Sequence, residues 1–358
     1  MLNKILSFIG VTRLLNPQQV KRELESVLDG FQITFINKEA YLNGSRYLMA
    51  HSKHIQTGVE GFVKITNKKS LIENLKKEVS AITMANSIGV PTTKFFQKVT
   101  KLKDDIYYYH REWLPESDQR VFITDLTTLN GFEEVHLNLA TDLISKYAGL
   151  KVKPNQINPE FIFCDLNMHW AASYNQMWKG NKYREETGLQ GKIKRLLTIL
   201  SKQQAEQISL VAYPILDQFR EKFHEEITTI TGNYYFVHND CTPRNFYYKL
   251  DTNTAIYIDL EFSCLTQYKI MAMNNDIANF YGRLTAKPNL QKKFLELMHR
   301  KLDLPTEKKK LFLKHIVTVA SLSLPKASKK GRVNIKDRNL DVMLINAYID
   351  NINFIDSL

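Results

Sequence analysis

His238, Asp240 and Asn245 stand in the pattern H-x-D-x-x-x-x-N, and a second aspartate, Asp259, follows Asn245 by fourteen residues within Ile258-Asp259-Leu260-Glu261. That combination suits phosphoryl transfer from a nucleotide. One carboxylate aligns the attacking hydroxyl, while an amide and another carboxylate hold magnesium. Taken alone, Asp240 and Asn245 read equally well as turn formers around Pro243, and His238 as a core histidine. The second motif at this distance makes the chemical reading the stronger one. The reaction also needs a cation on the nucleotide phosphates, commonly a strand lysine fixed by a helix glutamate. In Gly61-Phe62-Val63-Lys64-Ile65-Thr66, Lys64 sits between β-branched neighbours, as in a strand. A helix is predicted from near Ser70, with Leu71, Leu75, Val79 and Ile82 at helical spacing, and it carries Glu78 fourteen residues after Lys64. Glu73 competes for the pairing, but it lies near the exposed helix start, where the dipole alone favours a carboxylate.

The elements around these residues can be read from the same chain. Tyr234–Val237, Phe246–Tyr248 and Ala255–Ile258 read as short strands, which puts the polar triplet on a loop and Asp259 at a strand end. Phe31–Phe35, Tyr47–Ala50 and Thr92–Phe96 read as further strands, with Gly89-Val90-Pro91 stopping the helix. Ile106 to Glu116 reads as a strand running into a Pro-terminated linker. Asn43-Gly44-Ser45 is the best place for a phosphate loop, although its glycine signal is poor. Neither G-x-x-x-x-G-K-[ST] nor G-x-G-x-x-G occurs, which disfavours a P-loop enzyme and a dinucleotide fold.

In this order the pieces resemble the aminoglycoside phosphotransferase and choline kinase family, which has the protein-kinase-like fold. The resemblance is carried by Phe62-Val63-Lys64, Glu78, Arg111-Glu112-Trp113-Leu114-Pro115, His238 to Asn245, Ile258 to Glu261 and Asp276-Ile277-Ala278-Asn279. The Asp-x-Glu form, in place of Asp-Phe-Gly, favours this family over the protein kinases. It implies an α+β bilobal fold, with a small antiparallel-sheet N-lobe holding one main helix and a larger, mostly helical C-lobe. The expected divisions are an N-terminal helical segment at 1–20, the N-lobe at 21–111, a hinge at 112–118 and the C-lobe at 119–358. The implied activity is ATP- and magnesium-dependent phosphorylation (with GTP as the other nucleotide choice) of a hydroxyl on a small molecule: a sugar, an amino alcohol or an aminoglycoside-like antibiotic. Asp240 would be catalytic, and Asn245 and Asp259 would hold magnesium. Lys64, Glu78, Glu112, Trp113 and Leu114 would bind the nucleotide. His238 and Asp276 would support the loop, Asp276 as an aspartate that opens a helix, and Glu261 would touch metal or water or organise the loop. One departure is the seventeen residues from Asp259 to Asp276, which suggests an extra loop or turn at Leu265 to Asn275, where Met271 and Met273 either line a site or fill core.

Length and composition set the remaining bounds. A chain of 358 residues is long enough for two cores, and no run approaches a membrane-spanning length. The first eleven residues lack a clear cleavage site and read as a short amphipathic helix, packed on the first lobe or lying on a membrane surface. Cys164, Cys241 and Cys264 show no metal spacing and fit a reducing cytoplasm. The net charge of +12 gathers at Lys68-Lys69, Lys76-Lys77, Lys308-Lys309-Lys310 and from Lys326 to Arg338. Such runs are solvated faces or attract an anionic partner, and the absence of a recognised motif argues against nucleic acid. The charge and the apolar start support an alternative, a kinase of a lipid-linked or polymeric saccharide at an anionic membrane surface. A non-catalytic nucleotide-binding module is the third reading, disfavoured by the presence of Lys64, Asp240, Asn245 and Asp259 together. Phe132–Gly149 and Lys192–Ile227 read as helical, the latter broken near Pro214. Between them Phe161 to Trp170, with Tyr174, Trp178 and Tyr183, falls where the resembled family has its acceptor site, and Asp165 with His169 makes a thin metal pair. After Asp276 helices are expected to the end, broken at Pro288, Pro305 and Pro325, with a basic loop at 326–338 and a closing helix at Leu340–Phe354.

Overall fold

The computed structural model describes residues 14–114, 129, 131–157, 202–229, 232–321 and 338–358. The chain divides into two compact units, one of residues 1–118 with Tyr257–Glu261 and one of residues 119–256 with 262–358.

The first unit is built on an antiparallel sheet of β1 (Phe31–Phe35), β2 (Leu48–His54), β3 (Glu60–Thr66), β4 (Phe95–Lys103) and β5 (Ile106–Glu112), in the order β1-β2-β3-β5-β4. Both faces of its central strand are covered. Because strand residues alternate faces, Val63 and Ile65 of β3 pack with Ile33, Leu48, Ala50 and Tyr108 against Val20 and Leu24 of helix α1 (Pro17–Val27). Asn16 caps that helix, its side chain accepting from the Gln18 and Gln19 amides, and Pro17 takes a first-turn position. On the opposite face Phe62 packs with Tyr47 and Tyr109 against Leu71, Leu75 and Val79 of helix α3 (Lys69–Ser87). A strand buried on both faces ordinarily carries only apolar side chains. Lys64, on the α3 face of β3, is the charged exception.

Between β1 and β2 lies a single-turn helix, α2 (Lys38–Leu42), closed by a Ser45 amide to Ala40 carbonyl bond of 2.8 Å. One expectation for this unit is corrected. The strand expected from Thr92 begins at Phe95, because Thr92 pairs instead with Tyr257. There Tyr257 donates its amide to the Pro91 carbonyl at 2.9 Å, and Thr92 Oγ1 donates to the Tyr257 carbonyl at 2.9 Å. Those bonds fasten the segment that carries Asp259 to the first unit.

The second unit is mostly helical. Its described helices are α4 (Glu134–Tyr147), α5 (Lys202–Lys222), α6 (His224–Thr228), α7 (Lys269–Arg283), α8 (Pro288–Lys301), α9 (Thr306–Ser321) and α10 (Arg338–Ser357). The short strands β6 (Lys151–Val152), β7 (Tyr234–Val237) and β10 (Cys264–Thr266) form a sheet in the order β10-β7-β6, and β8 (Phe246–Lys249) pairs with β9 (Thr254–Tyr257). Pro214 does not break its helix, since α5 runs through it and the interruption falls at Phe223. No extra loop follows Leu265. The chain makes β10 and then starts α7 at Lys269, so Met271 and Met273 are core residues and Asp276 is mid-helix, not at a helix start. Cys241 and Cys264 are buried. The expected acceptor segment Phe161 to Tyr183 with Asp165 and His169, the N-terminal residues 1–13, Pro325 and the basic stretch 326–337 lie outside the described residues. No helix among the described residues is long and apolar enough to cross a membrane.

In each unit one buried histidine has its pKa driven far down. In the first, His110 meets Ser52 Oγ at 2.8 Å, and burial takes its pKa down to about 4. In the second, His315 stacks on Phe219 with centroids 3.6 Å apart, bonds the Asn274 amide at 2.6 Å, and burial takes its pKa down to about 3. An unfolded imidazole takes up its proton near 6.5, so between that value and the folded pKa the unfolded chain binds more protons. Stability is therefore full above pH ~6.5 and declines as pH falls toward 4. The melting temperature should drop steadily between pH 7 and 4.5, and a flat profile would contradict the burial of these two rings.

Candidate active site

In the first unit Lys64 is opposite Met49 of β2 and Tyr109 of β5. Cross-strand partners share a face, so Tyr109 and Lys64 both point to α3. On α3 the spacing Leu71, Leu75, Glu78, Val79, Ile82 brings Glu78 onto the buried side. Lys64 Nζ donates to Glu78 Oε2 at 2.7 Å, Tyr109 Oη donates to Glu78 Oε1 at 2.9 Å, and the Lys64 ammonium sits 4.3 Å from the centre of the Tyr47 ring. Lys64 is 8% exposed and Glu78 3%, so each charge would be costly without the other. Burial by itself lowers the Lys64 pKa, but the charge of Glu78, with Tyr109 and Asp259, outweighs it and holds the ammonium above its ordinary range. Burial also pushes the Tyr47 phenol up to about 12. Glu73, with a half-exposed side chain, pairs with Lys76 at 3.0 Å, which leaves Lys64 to Glu78.

Asp259 and Glu261 join this group. Carboxylate oxygens of Glu78, Asp259 and Glu261 lie within 4.8 Å of one another. Asp259 adopts φ +58°, a left-handed conformation that a non-glycine residue holds at a cost of about 1–3 kcal/mol. Glu261 Oε1 accepts from Arg46 NH1 at 3.1 Å, while its Oε2 is buried with no hydrogen-bond partner. Burial raises the Glu261 pKa despite the nearby Lys64. An orphaned buried oxygen among hard carboxylate donors fits a small divalent cation such as magnesium.

At the end of β5, Glu112 donates its amide to the Lys94 carbonyl at 2.9 Å, and its carbonyl accepts from Arg111 NH1. Its carboxylate accepts from the Lys94 amide at 2.9 Å, so side chain and backbone both serve the sheet. The Trp113 amide donates to the Glu60 carbonyl at 3.2 Å, and its ring stacks on Phe62. Leu114 is the last residue described before the linker.

In the second unit the H-x-D-x-x-x-x-N loop follows β7. Buried Asp276 accepts the backbone amides of His238 and Asn239, each at 2.9 Å, through its two oxygens. Burial raises the Asp276 pKa against the pull of His238 and those amides. Asn239 takes φ +65°, which asparagine tolerates better than most residues, and it is held by Asn275 at 3.1 Å and by the Phe262 carbonyl at 3.1 Å. His238 is fully buried. Asn245 Nδ2 donates to the Asp240 carbonyl at 2.7 Å and to Asp240 Oδ2 at 2.8 Å, leaving its Oδ1 outside those two bonds. Asp240 is partly exposed and also pairs with Arg244 NH2 at 3.3 Å. Arg46, Tyr47, Tyr109 and Arg244 were not singled out from sequence. For Tyr109 a signal existed, since it alternates with its neighbours along β5.

No protein-family model matches the chain, and no curated protein does. Solved structures resemble it at low identity. The Plasmodium vivax ethanolamine kinase is 13% identical with a TM-score of 0.46, over 91% of this chain and 82% of that one. A spectinomycin phosphotransferase in complex with ADP and spectinomycin is 13% identical with a TM-score of 0.46, over 94% and 97%. A microcompartment-associated aminopropanol kinase is 10% identical with a TM-score of 0.48, over 95% and 97%. These neighbours have the protein-kinase-like fold, and at such identities the likeness concerns fold alone.

Replacing Asp276 by alanine would strip two buried amides of their acceptor. Asp276→Ala should destabilise the chain by on the order of 3 kcal/mol in urea unfolding, whereas Asn279→Ala, whose bond to the Asn239 carbonyl is 3.4 Å, should cost far less.

Proposed function

We propose that this chain is an ATP- and magnesium-dependent phosphotransferase whose acceptor is a hydroxyl of a small molecule such as a sugar, an amino alcohol or an aminoglycoside-like antibiotic. The observation that carries the proposal is the Lys64–Glu78 pair, a charged couple buried in an otherwise apolar sheet face with Asp259 and Glu261 in the same group. Lys64 would hold the nucleotide phosphates, with Glu78 and Tyr109 fixing its position. The segment of Trp113 and Leu114 would meet the base. Asp259 and the Oδ1 atom of Asn245 would hold magnesium, which when bound neutralises the polyphosphate charge. Asp240, its Oδ2 tied by Asn245 and Arg244, would present its other oxygen to the acceptor hydroxyl and take its proton as the hydroxyl attacks the γ-phosphorus in line. His238 and Asp276 would keep that loop in place.

Four described lysines of the second unit pair with local carboxylates: Lys293 with Glu134 and Glu296, Lys301 with Asp142, Lys308 with Glu226 and Lys314 with Asp356.

Magnesium-dependent ADP release against a panel of hydroxylated metabolites and antibiotics tests the proposal. Asp240→Asn should lower kcat by on the order of 10²–10⁴-fold while leaving ADP affinity within about twofold. Unchanged turnover in that variant would remove Asp240 from the reaction.

A further inference from the structure

The turn where a glycine-rich loop would offer amides to phosphate has none to offer at its tip. The amides of Asn43, Gly44 and Ser45 donate to the carbonyls of Glu39 (3.0 Å), Tyr41 (3.1 Å) and Ala40 (2.8 Å). The base of the connection is also tied, Asn37 Nδ2 donating to the Tyr47 carbonyl at 2.9 Å and the Met49 amide donating to Asn37 Oδ1 at 2.8 Å. Lys64 is sunk into the sheet and committed to Glu78. The next residue after the turn is a different kind of cation. Arg46 has a half-exposed side chain, and its NH1 lies 3.1 Å from Glu261 Oε1, within the field of Asp259. A guanidinium carries five N–H donors in a planar fork, and the contact with Glu261 uses NH1 alone. The rest of the fork suits two phosphate oxygens at once.

We propose that Arg46 binds the polyphosphate of the nucleotide in place of glycine-loop amides, with Glu261 as the positioning residue that keeps the guanidinium in the Asp259 group. The inference rests on the nucleotide-dependent function proposed above and adds to it a specific anion ligand. It also gives the unequal use of Glu261's oxygens a purpose: Oε1 aligns Arg46, and Oε2 stays available within the carboxylate group.

Titration calorimetry with ADP and with adenosine, both in magnesium, separates the possibilities. Arg46→Ala should weaken ADP binding about 10–100-fold and leave adenosine binding unchanged, with a melting curve like that of the parent because Arg46 is half-exposed. Arg46→Lys, which keeps the charge but loses the fork, should fall between the two, and it carries the test should the alanine variant not fold. Parent-like ADP affinity in both variants would overturn the role of Arg46 while leaving the phosphotransferase reading intact. An equal loss of ADP and adenosine affinity would likewise overturn it, since the damage would not be specific to phosphate. A parent chain that binds neither ligand would overturn both this inference and the reading beneath it.

Discussion

The Lys64–Glu78 ion pair sets the terms for the first unit. A charge on a strand covered on both faces must be matched within a few ångströms or the fold does not tolerate it. Every neighbour contributes to that match. Helix α3 delivers Glu78 from its buried stripe, β5 delivers Tyr109 to the second carboxylate oxygen, and Tyr47 lays its ring against the ammonium. A sheet built for stability alone would do as well with leucine or methionine at both positions, because buried pairs rarely outperform well-packed apolar side chains. Under the function proposed above, the fold maintains the pair for a task, the anchoring of a polyphosphate.

The same logic extends to the loops. Asn239 and Asp259 hold left-handed backbone conformations; Asn239 precedes Asp240, and Asp259 itself carries a carboxylate that the proposed chemistry uses. Asn239 is held there by three side-chain contacts, and the amides around it are bound by Asp276. The segment of Asp259 is held by the bonds of Tyr257 to Pro91 and Thr92. Strain of this kind persists only where surrounding bonds over-determine the backbone, and here those bonds can be named.

Local patterns made part of this visible in the sequence. The strand Phe31–Phe35 and the helix bearing Glu78 follow from alternation and helical spacing, and the pairing of Glu78 over Glu73 follows from which one the apolar stripe buries. What failed depended on tertiary context. Pro214 was expected to break a helix, yet Ala212, Ile215, Leu216 and Phe219 bury a continuous face across it, and that packing overrides the lost hydrogen bond. Asp276 was read as a helix start from the family resemblance. It is instead a mid-helix side chain serving as cap to a loop 38 residues upstream, although Ile270, Ile277 and Tyr281 already showed the earlier helical spacing. Arg46 could not be seen because its carboxylate partner, Glu261, lies 215 residues away, whereas Arg244, four residues from Asp240, and Tyr109, in the alternation of β5, were open to a local reading.

A triple replacement tests the account most directly. In Lys64→Met/Glu78→Leu/Tyr109→Phe both charges and the hydroxyl that donates to Glu78 are removed together, and the account predicts urea stability within about 1–2 kcal/mol of the parent. It also predicts that binding of ADP with magnesium, followed by titration calorimetry on the same folded protein, is lost. ADP affinity preserved in that variant would contradict it, for the pair would then be a structural feature with no part in holding a nucleotide.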